Sequence, residues 1–182
     1  MVDFRGISFF YLASYEDVEL LYEDGFPEAI PSGRFLHMIE RGLQQEFDAI
    51  VMSVDGEYVG YAIILDNYIA DFLYYIYVSP KYQNQGYGSM MLQYIKEMHE
   101  DIPVIAATKK INQIYQSHTL IIKLGNLLRR NGFAHLPSHP QLKSLEDINI
   151  YVSGKIIDKE IIGTIVDSYR NEIEDYVKIQ TQ

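Results

Sequence analysis

Tyr75-Ile76-Tyr77-Val78-Ser79-Pro80-Lys81-Tyr82-Gln83-Asn84-Gln85-Gly86-Tyr87-Gly88 decides the fold, because the chain changes character twice within it. The aromatic and β-branched run ending at Val78 continues a strand begun near Ala70, and its lack of alternation predicts burial on both faces. Pro80 has no amide to donate and stops the ladder. Gln83 to Gly88 then turns the chain into a helix that runs to about His99, with Tyr87, Met91, Tyr94, Ile95 and Met98 as its apolar stripe. Such a turn aims several backbone N–H groups at one point, and the helix dipole adds partial positive charge there. Glycines remove the side chains that would keep an anion away. Residue 91 is Met91, so the third glycine of a dinucleotide fingerprint is missing, and no Gly-Lys-Ser/Thr follows to make a Walker loop. On these residues alone, an anion-binding turn and a plain tight turn both stand.

Upstream, Ala49 to Val54 and Glu57 to Leu65 flank Asp55-Gly56. That pattern predicts a two-residue hairpin with both turn residues at positive φ. Ile7 to Ala13 reads as a first strand, and Ser14-Tyr15-Glu16-Asp17 as a capping box opening a short helix. Phe35, Met38, Ile39 and Leu43 mark a second helix after a loop with Pro27 and Pro31. Downstream, Pro103 to Thr108 is a strand, and Ser117 to Asn131 a helix that buries Leu120, Ile121, Leu124, Leu127 and Leu128. Gly132 supplies its left-handed C-terminal cap. Ile148 to Val152 is a late strand, and a final helix carries Ile162, Ile165, Val166, Tyr169, Ile173, Tyr176 and Val177 on one stripe. Hairpins first and a strand–helix–strand crossover in the middle make an α+β fold around one mixed, mostly antiparallel sheet. The chain reads as one domain over 1–182, with 156–182 as a C-terminal helical extension.

Composition narrows the function. At 182 residues with 48% hydrophobic and 22% charged residues, the chain is an ordinary globular one. It has no cysteine, which removes thiolate metal sites, disulfide scaffolds and cysteine nucleophiles together. A net charge of −10 argues against nucleic acid or an anionic membrane as partner. No stretch is long and apolar enough for a membrane helix, and the acidic start does not suit a signal peptide. A cytoplasmic location follows as the expectation. The charge is uneven: residues 1–80 balance to −11, residues 81–130 to +4 and residues 131–182 to −3. A solvated face explains that scatter; so does a polyanionic ligand held by the middle segment.

Gln83, Gly86 and Gly88 match the Gln/Arg-x-x-Gly-x-Gly/Ala signature of the GNAT superfamily of acyl-CoA-dependent N-acyltransferases, and the chain resembles that family. The whole Tyr75–Gly88 stretch is similar to the family's fourth strand and the loop into its third helix, and Asn131-Gly132-Phe133 to the end of its fourth helix. The resemblance implies a GNAT-like sheet with helices on both faces, and acetyl-CoA lying where the fourth and fifth strands part. It implies that backbone N–H groups over Gln85, Gly86, Tyr87, Gly88 and Ser89 hold the pyrophosphate, with Gln83 in the same motif. Main-chain groups of Ile76 and Val78 would pair with the pantetheine like an added strand.

Transfer from a thioester to an amine needs a neutral amine, a stabilised oxyanion and a proton for the departing thiolate. Many family members supply that proton from a tyrosine four residues before the glycine equivalent to Gly132; here the position is Leu128. Tyr115 is the substitute candidate. Glu28, in a loop that resembles the acceptor loop, and Asp71, which starts the fourth strand, are the candidate general bases. Tyr74 and Tyr75 face opposite sides of the strand. His118 is a further polar candidate. His135-x-x-x-His139 has ligand-like spacing, but Pro137 and Pro140 put it in a loop and no third ligand is evident, so no metal is expected. The expected function is direct acetyl transfer from acetyl-CoA to a primary amine, a small cationic amine or a lysine side chain, by a monomer or homodimer. The alternative is a non-catalytic acyl-CoA-binding or protein-interaction module on the same fold.

Overall fold

Asp55 and Gly56 make the predicted turn, with φ of 51° and 82°, the pair of left-handed conformations a two-residue hairpin needs. They join β2 (Phe47–Val54) to β3 (Glu57–Leu65), and β1 (Ile7–Leu12) pairs antiparallel with β2 on the other side. The computed structural model describes residues 6–12, 47–66, 69–109, 119–136, 148–154 and 158–168. The two helices expected between the first strand and Phe47 lie outside the described residues, as does the continuation of the last helix beyond Ser168.

Beyond β3 come β4 (Asp71–Val78), a one-turn 3-10 helix (Pro80–Tyr82) and α1 (Tyr87–Met98). Next are β5 (Val104–Lys109), α2 (Thr119–Arg130) and β6 (Ala134–Leu136), then β7 (Ile148–Ser153) and α3 (Lys159–Ser168). The strand order is β1-β2-β3-β4-β5-β7-β6. The ladders β1–β2, β2–β3, β5–β7 and β6–β7 are antiparallel, whereas β4 pairs parallel with β5. The result is the expected α+β fold on a mixed, mostly antiparallel sheet. β6 is a strand the sequence reading misses: it is three residues long and Pro137 follows it at once. His135 therefore sits on a strand rather than in a loop, with its ring 5.2 Å from that of Tyr151.

The chain divides into two compact units, 1–66 with 75–91 and 67–74 with 92–182. The first is built on the β2–β3 hairpin, with Ile50, Met52, Ile64 and Met91 fully buried. The second buries Phe72, Leu92, Ile95, Ile105, Leu128 and Ile162 completely. Gly132 (φ 82°) caps α2 as predicted. Gly132 N–H donates to the Arg129 carbonyl at 3.2 Å and Phe133 N–H to Leu128 at 3.1 Å, the paired bonds of a Schellman motif. Asp158 caps α3, its Oδ1 accepting the Glu160 amide at 2.8 Å.

Three burial expectations need correction, one of them in α2, where Leu128 is buried but Leu124 and Leu127 are half-buried. β4 is buried only over its first half; Ile76, Tyr77 and Val78 are half-buried. The stripe of α1 runs through Met91, Leu92 and Ile95, while Met98 is 51% exposed. His99 takes the inner position instead, because the Asp71 carboxylate waits for it: Oδ2 lies 2.6 Å from His99 Nδ1.

Candidate functional site

The site is built on the end of β4 and the turn that follows, all within the first unit. Main-chain polar groups of successive strand residues point to opposite edges. Ser79 N–H donates to the Val59 carbonyl at 2.8 Å, and an added Cβ on Gly60 would stand 2.3 Å from the Tyr77 carbonyl oxygen. Tyr77 and Ser79 thus face β3. By alternation, the main-chain groups of Ile76 and Val78 face away from β3, at the half-buried end of the strand.

Pro80 opens the 3-10 turn, where a missing N–H costs nothing; Tyr82 N–H returns to the Ser79 carbonyl at 2.8 Å and Gln83 N–H to Pro80 at 3.3 Å. Two left-handed residues, Asn84 (φ 62°) and Gly86 (φ 94°), then swing the chain into α1. Asn tolerates that region because its short polar side chain bonds locally; a Cβ at Gly86 would meet nothing within 4 Å, so it is the backbone angle that requires glycine there. Ser89 and Met90 N–H groups both donate to the Gly86 carbonyl, at 2.9 and 3.1 Å. Among the described residues, no backbone carbonyl receives the amides of Gln85, Gly86, Tyr87 or Gly88. These four sit where the helix dipole is positive. Within the expected span of Gln85 to Ser89, the Ser89 amide is the one that donates to a backbone carbonyl, that of Gly86.

The two glutamine side chains bond back across the turn, Gln83 part-buried and Gln85 exposed. Gln83 Nε2 donates to the Val78 carbonyl at 3.0 Å, and Gln85 Nε2 to the Lys81 carbonyl at 2.9 Å. Gln83 therefore shapes the turn and takes up one acceptor position of the Val78 carbonyl. Outside the turn, Lys81 Nζ lies 2.7 Å from Glu57 Oε2 and 4.9 Å from the centre of the Tyr82 ring. The Tyr82 hydroxyl donates to the same carboxylate oxygen. The Lys81 hydrogen bond, followed by the one from Tyr82, holds Glu57 below the usual carboxylate range; the bond to Glu57 pushes Lys81 up to about 12. Both groups stay ionised across the neutral range.

Of the catalytic candidates, Glu28, Tyr115 and His118 lie outside the described residues. Asp71 is no solvated carboxylate. It is 3% exposed, its carboxylate engages His99 and its N–H donates to the Pro103 carbonyl at 2.9 Å. Leu128, at the position of the family's tyrosine, is fully buried in the second unit. Leu128→Tyr should therefore overpack that core rather than present a hydroxyl. The expected loss is about 1–3 kcal/mol, seen as a lower midpoint in thermal or urea unfolding; unchanged stability with faster acetyl transfer would reverse that assignment. Among the described residues no group of three or more His, Asp or Glu side chains gathers as a metal site.

Sequence reasoning missed Gly60, Glu57 and Tyr82. An isolated glycine inside a strand is a signal of a bulge or close approach, and the β2–β3 register does slip here, between the pairs Met52–Gly60 and Ser53–Tyr58. Glu57 and Lys81 are 24 residues apart, and nothing local marks them as partners.

A strand edge, a glycine turn and amides without a backbone acceptor among the described residues at a helix start make a candidate anion site on an α+β domain. The model of the acetyltransferase (GNAT) domain matches residues 45–135, half of this chain, and the chain belongs to the GNAT acetyltransferase family. Solved structures agree in fold. A GNAT-family acetyltransferase structure from Bacteroides thetaiotaomicron is similar with a TM-score of 0.62 and 17% identity, over 90% of this chain and 96% of that one. The ribosomal-protein-S18-alanine N-acetyltransferase of Escherichia coli gives 0.56 and 16%, over 84% and 97%. A Salmonella typhimurium structure solved with its cofactor acetyl-CoA gives 0.51 and 15%, over 85% and 95%. A search of curated proteins found no match. No helix among the described residues is long and apolar enough to cross a membrane.

Proposed function

We propose that the protein transfers the acetyl group of acetyl-CoA directly to a primary amine, either a small cationic amine or a lysine side chain. The observation that carries this reading is the set of four amides, Gln85 to Gly88, at the start of α1. Converging N–H groups at a helix N-terminus suit a pyrophosphate. Ile76 and the Val78 N–H, turned away from β3, suit the amides of an extended pantetheine laid along the strand. Acetyl-CoA supplies an activated acyl group as a thioester. With no cysteine in the chain, acetyl passes to the amine without an acyl-enzyme: the C–N bond forms, the C–S bond breaks and the amine proton leaves to solvent. A thiol ionises near pH 8.5, so water suffices to protonate the departing sulfur and Leu128 leaves no essential gap. The balance of −11 over residues 1–80 favours a cationic acceptor. The absence of cysteine suits the cytoplasm, where thiols stay reduced.

Incubating the protein with acetyl-CoA and a panel of primary amines, including a polyamine, an amino sugar and a lysine peptide, tests this by thiol release. Release with a cationic amine is the expected result. CoA binding without release from any of them would instead make the protein an acyl-CoA-binding module.

A further inference from the structure

Three residues near the start of β3 meet the end of β4 and the turn. Glu57 takes the ammonium of Lys81 at 2.7 Å and the hydroxyl of Tyr82, the Val59 carbonyl takes the Ser79 amide at 2.8 Å, and Gly60 lies against the Tyr77 carbonyl. Lys81 and Tyr82 are the last two residues of the 3-10 helix. Gln85 in turn bonds the Lys81 carbonyl, so the polar ties run from Glu57 to the edge of the amide cradle. The remaining ties of this loop are local, from Gln83 Nε2 to the Val78 carbonyl at 3.0 Å and from the Tyr82 ring to that of Tyr87 at 5.9 Å; the 3-10 helix has no buried residue, and Pro80, Lys81, Gln85 and Gly86 are exposed. Amides that must converge on one anion bind it more weakly if the loop carrying them wanders, because its ordering is then charged to the binding step.

We propose that Glu57 is a positioning residue for acyl-CoA, fixing the 3-10 turn through Lys81 and Tyr82 and so pre-organising the amides of Gln85 to Gly88. The proposal rests on the reading of those amides as the CoA site. Lys81 is then a brace rather than a phosphate ligand, because its charge is already taken. The sign of the effect separates positioning from bare electrostatics. A carboxylate near a polyanion repels it, so its removal should tighten binding if charge were all that mattered; loss of a brace weakens it.

The test is a cycle of Glu57→Ala, Tyr82→Phe and the double variant in the full chain, read by CoA calorimetry, steady-state kinetics and amide exchange. Exposed polar ties are individually weak, so CoA affinity should fall about 5- to 10-fold in Glu57→Ala and about 2- to 4-fold in Tyr82→Phe, which changes no charge. The double variant should be no worse than Glu57→Ala alone. The loss should fall on KM for acetyl-CoA rather than on kcat, and amides 83–88 should exchange faster without ligand. Glu57→Gln, which keeps an acceptor for the Tyr82 hydroxyl, should recover part of the affinity. Unchanged or tighter binding in Glu57→Ala, or additive losses in the cycle, would overturn the proposal. Wild-type protein that binds no CoA would sink the functional reading instead, while the exchange of amides 83–88 still decides whether Glu57 holds the turn.

Discussion

Gly86→Asp should abolish practical CoA binding in a protein that still folds, with affinity lower by about 100-fold or more. Two causes add. Gly86 has φ of 94°, well beyond the left-handed region that Asn and Asp visit, so any side chain there costs on the order of 1–3 kcal/mol of backbone strain, which the free loop sheds by leaving that angle and ligand binding must then restore. An added Cβ meets nothing within 4 Å, so the fold itself has no steric reason to fail. On the proposed reading of the four amides as the phosphate site, the carboxylate also brings a negative charge to the place a phosphate would take. Two unit charges ~5 Å apart at an effective dielectric of ~20 repel by about 3 kcal/mol, though exposure at Gly86 lowers this. Gly86→Asn separates the causes, since it has the same shape and strain without the charge. Calorimetry should show about a tenfold loss for Asn and about another tenfold or more for Asp, and the gap between them should shrink in ~1 M salt. Equal losses in the two variants would mean that no anion sits at Gly86.

The hairpin, the glycine turn and the Gly132 cap were legible because each is decided by neighbours in sequence. Asp55-Gly56 demands positive φ whatever surrounds it, and Gly86 does the same work between strand and helix. What the sequence hid was long-range. His99 looks like a solvent-facing helix end until Asp71 is found 2.6 Å away, and that pairing turns the α1 stripe away from Met98. Ile76 to Val78 read as core because their hydrophobicity is the same as that of Phe72 and Leu73; only the fold distinguishes the buried half of β4 from its half-exposed end. Gln83 was legible as part of a motif, while its bond to the Val78 carbonyl was not, since a motif records which residue is needed and not what it touches. Leu128 is the same lesson in reverse. Its position suggested a lost hydroxyl, and its complete burial shows a residue chosen for packing.

Gly60→Ala should be the most damaging small substitution in the β2–β3 hairpin. A Cβ there would come within 2.3 Å of the Tyr77 carbonyl oxygen, 3.2 Å of Val78 Cα and 3.3 Å of the Tyr77 carbonyl carbon. All three are backbone, so no side chain can rotate away. Either β3 or the end of β4 must shift, at the place where Val59 already accepts the Ser79 amide. Overpacking a fixed interior typically costs 1–3 kcal/mol; a clash with backbone alone puts this case at the upper end, about 3 kcal/mol. For a chain of this size that lowers the thermal midpoint by about 6–12 °C. Gly56→Asn is the comparison: its φ of 82° sits in the hairpin turn and its Cβ would meet nothing within 4 Å, so its cost is strain alone. If Ile76 and Val78 carry the pantetheine, Gly60→Ala should also weaken CoA binding at a temperature where it is fully folded, because the strand edge that recognises the ligand has moved, whereas Gly56→Asn should leave affinity unchanged. A thermal midpoint within about 1 °C of wild type in Gly60→Ala would show that β3 yields freely at its bulge, and that the edge of β4 is set by something other than Gly60.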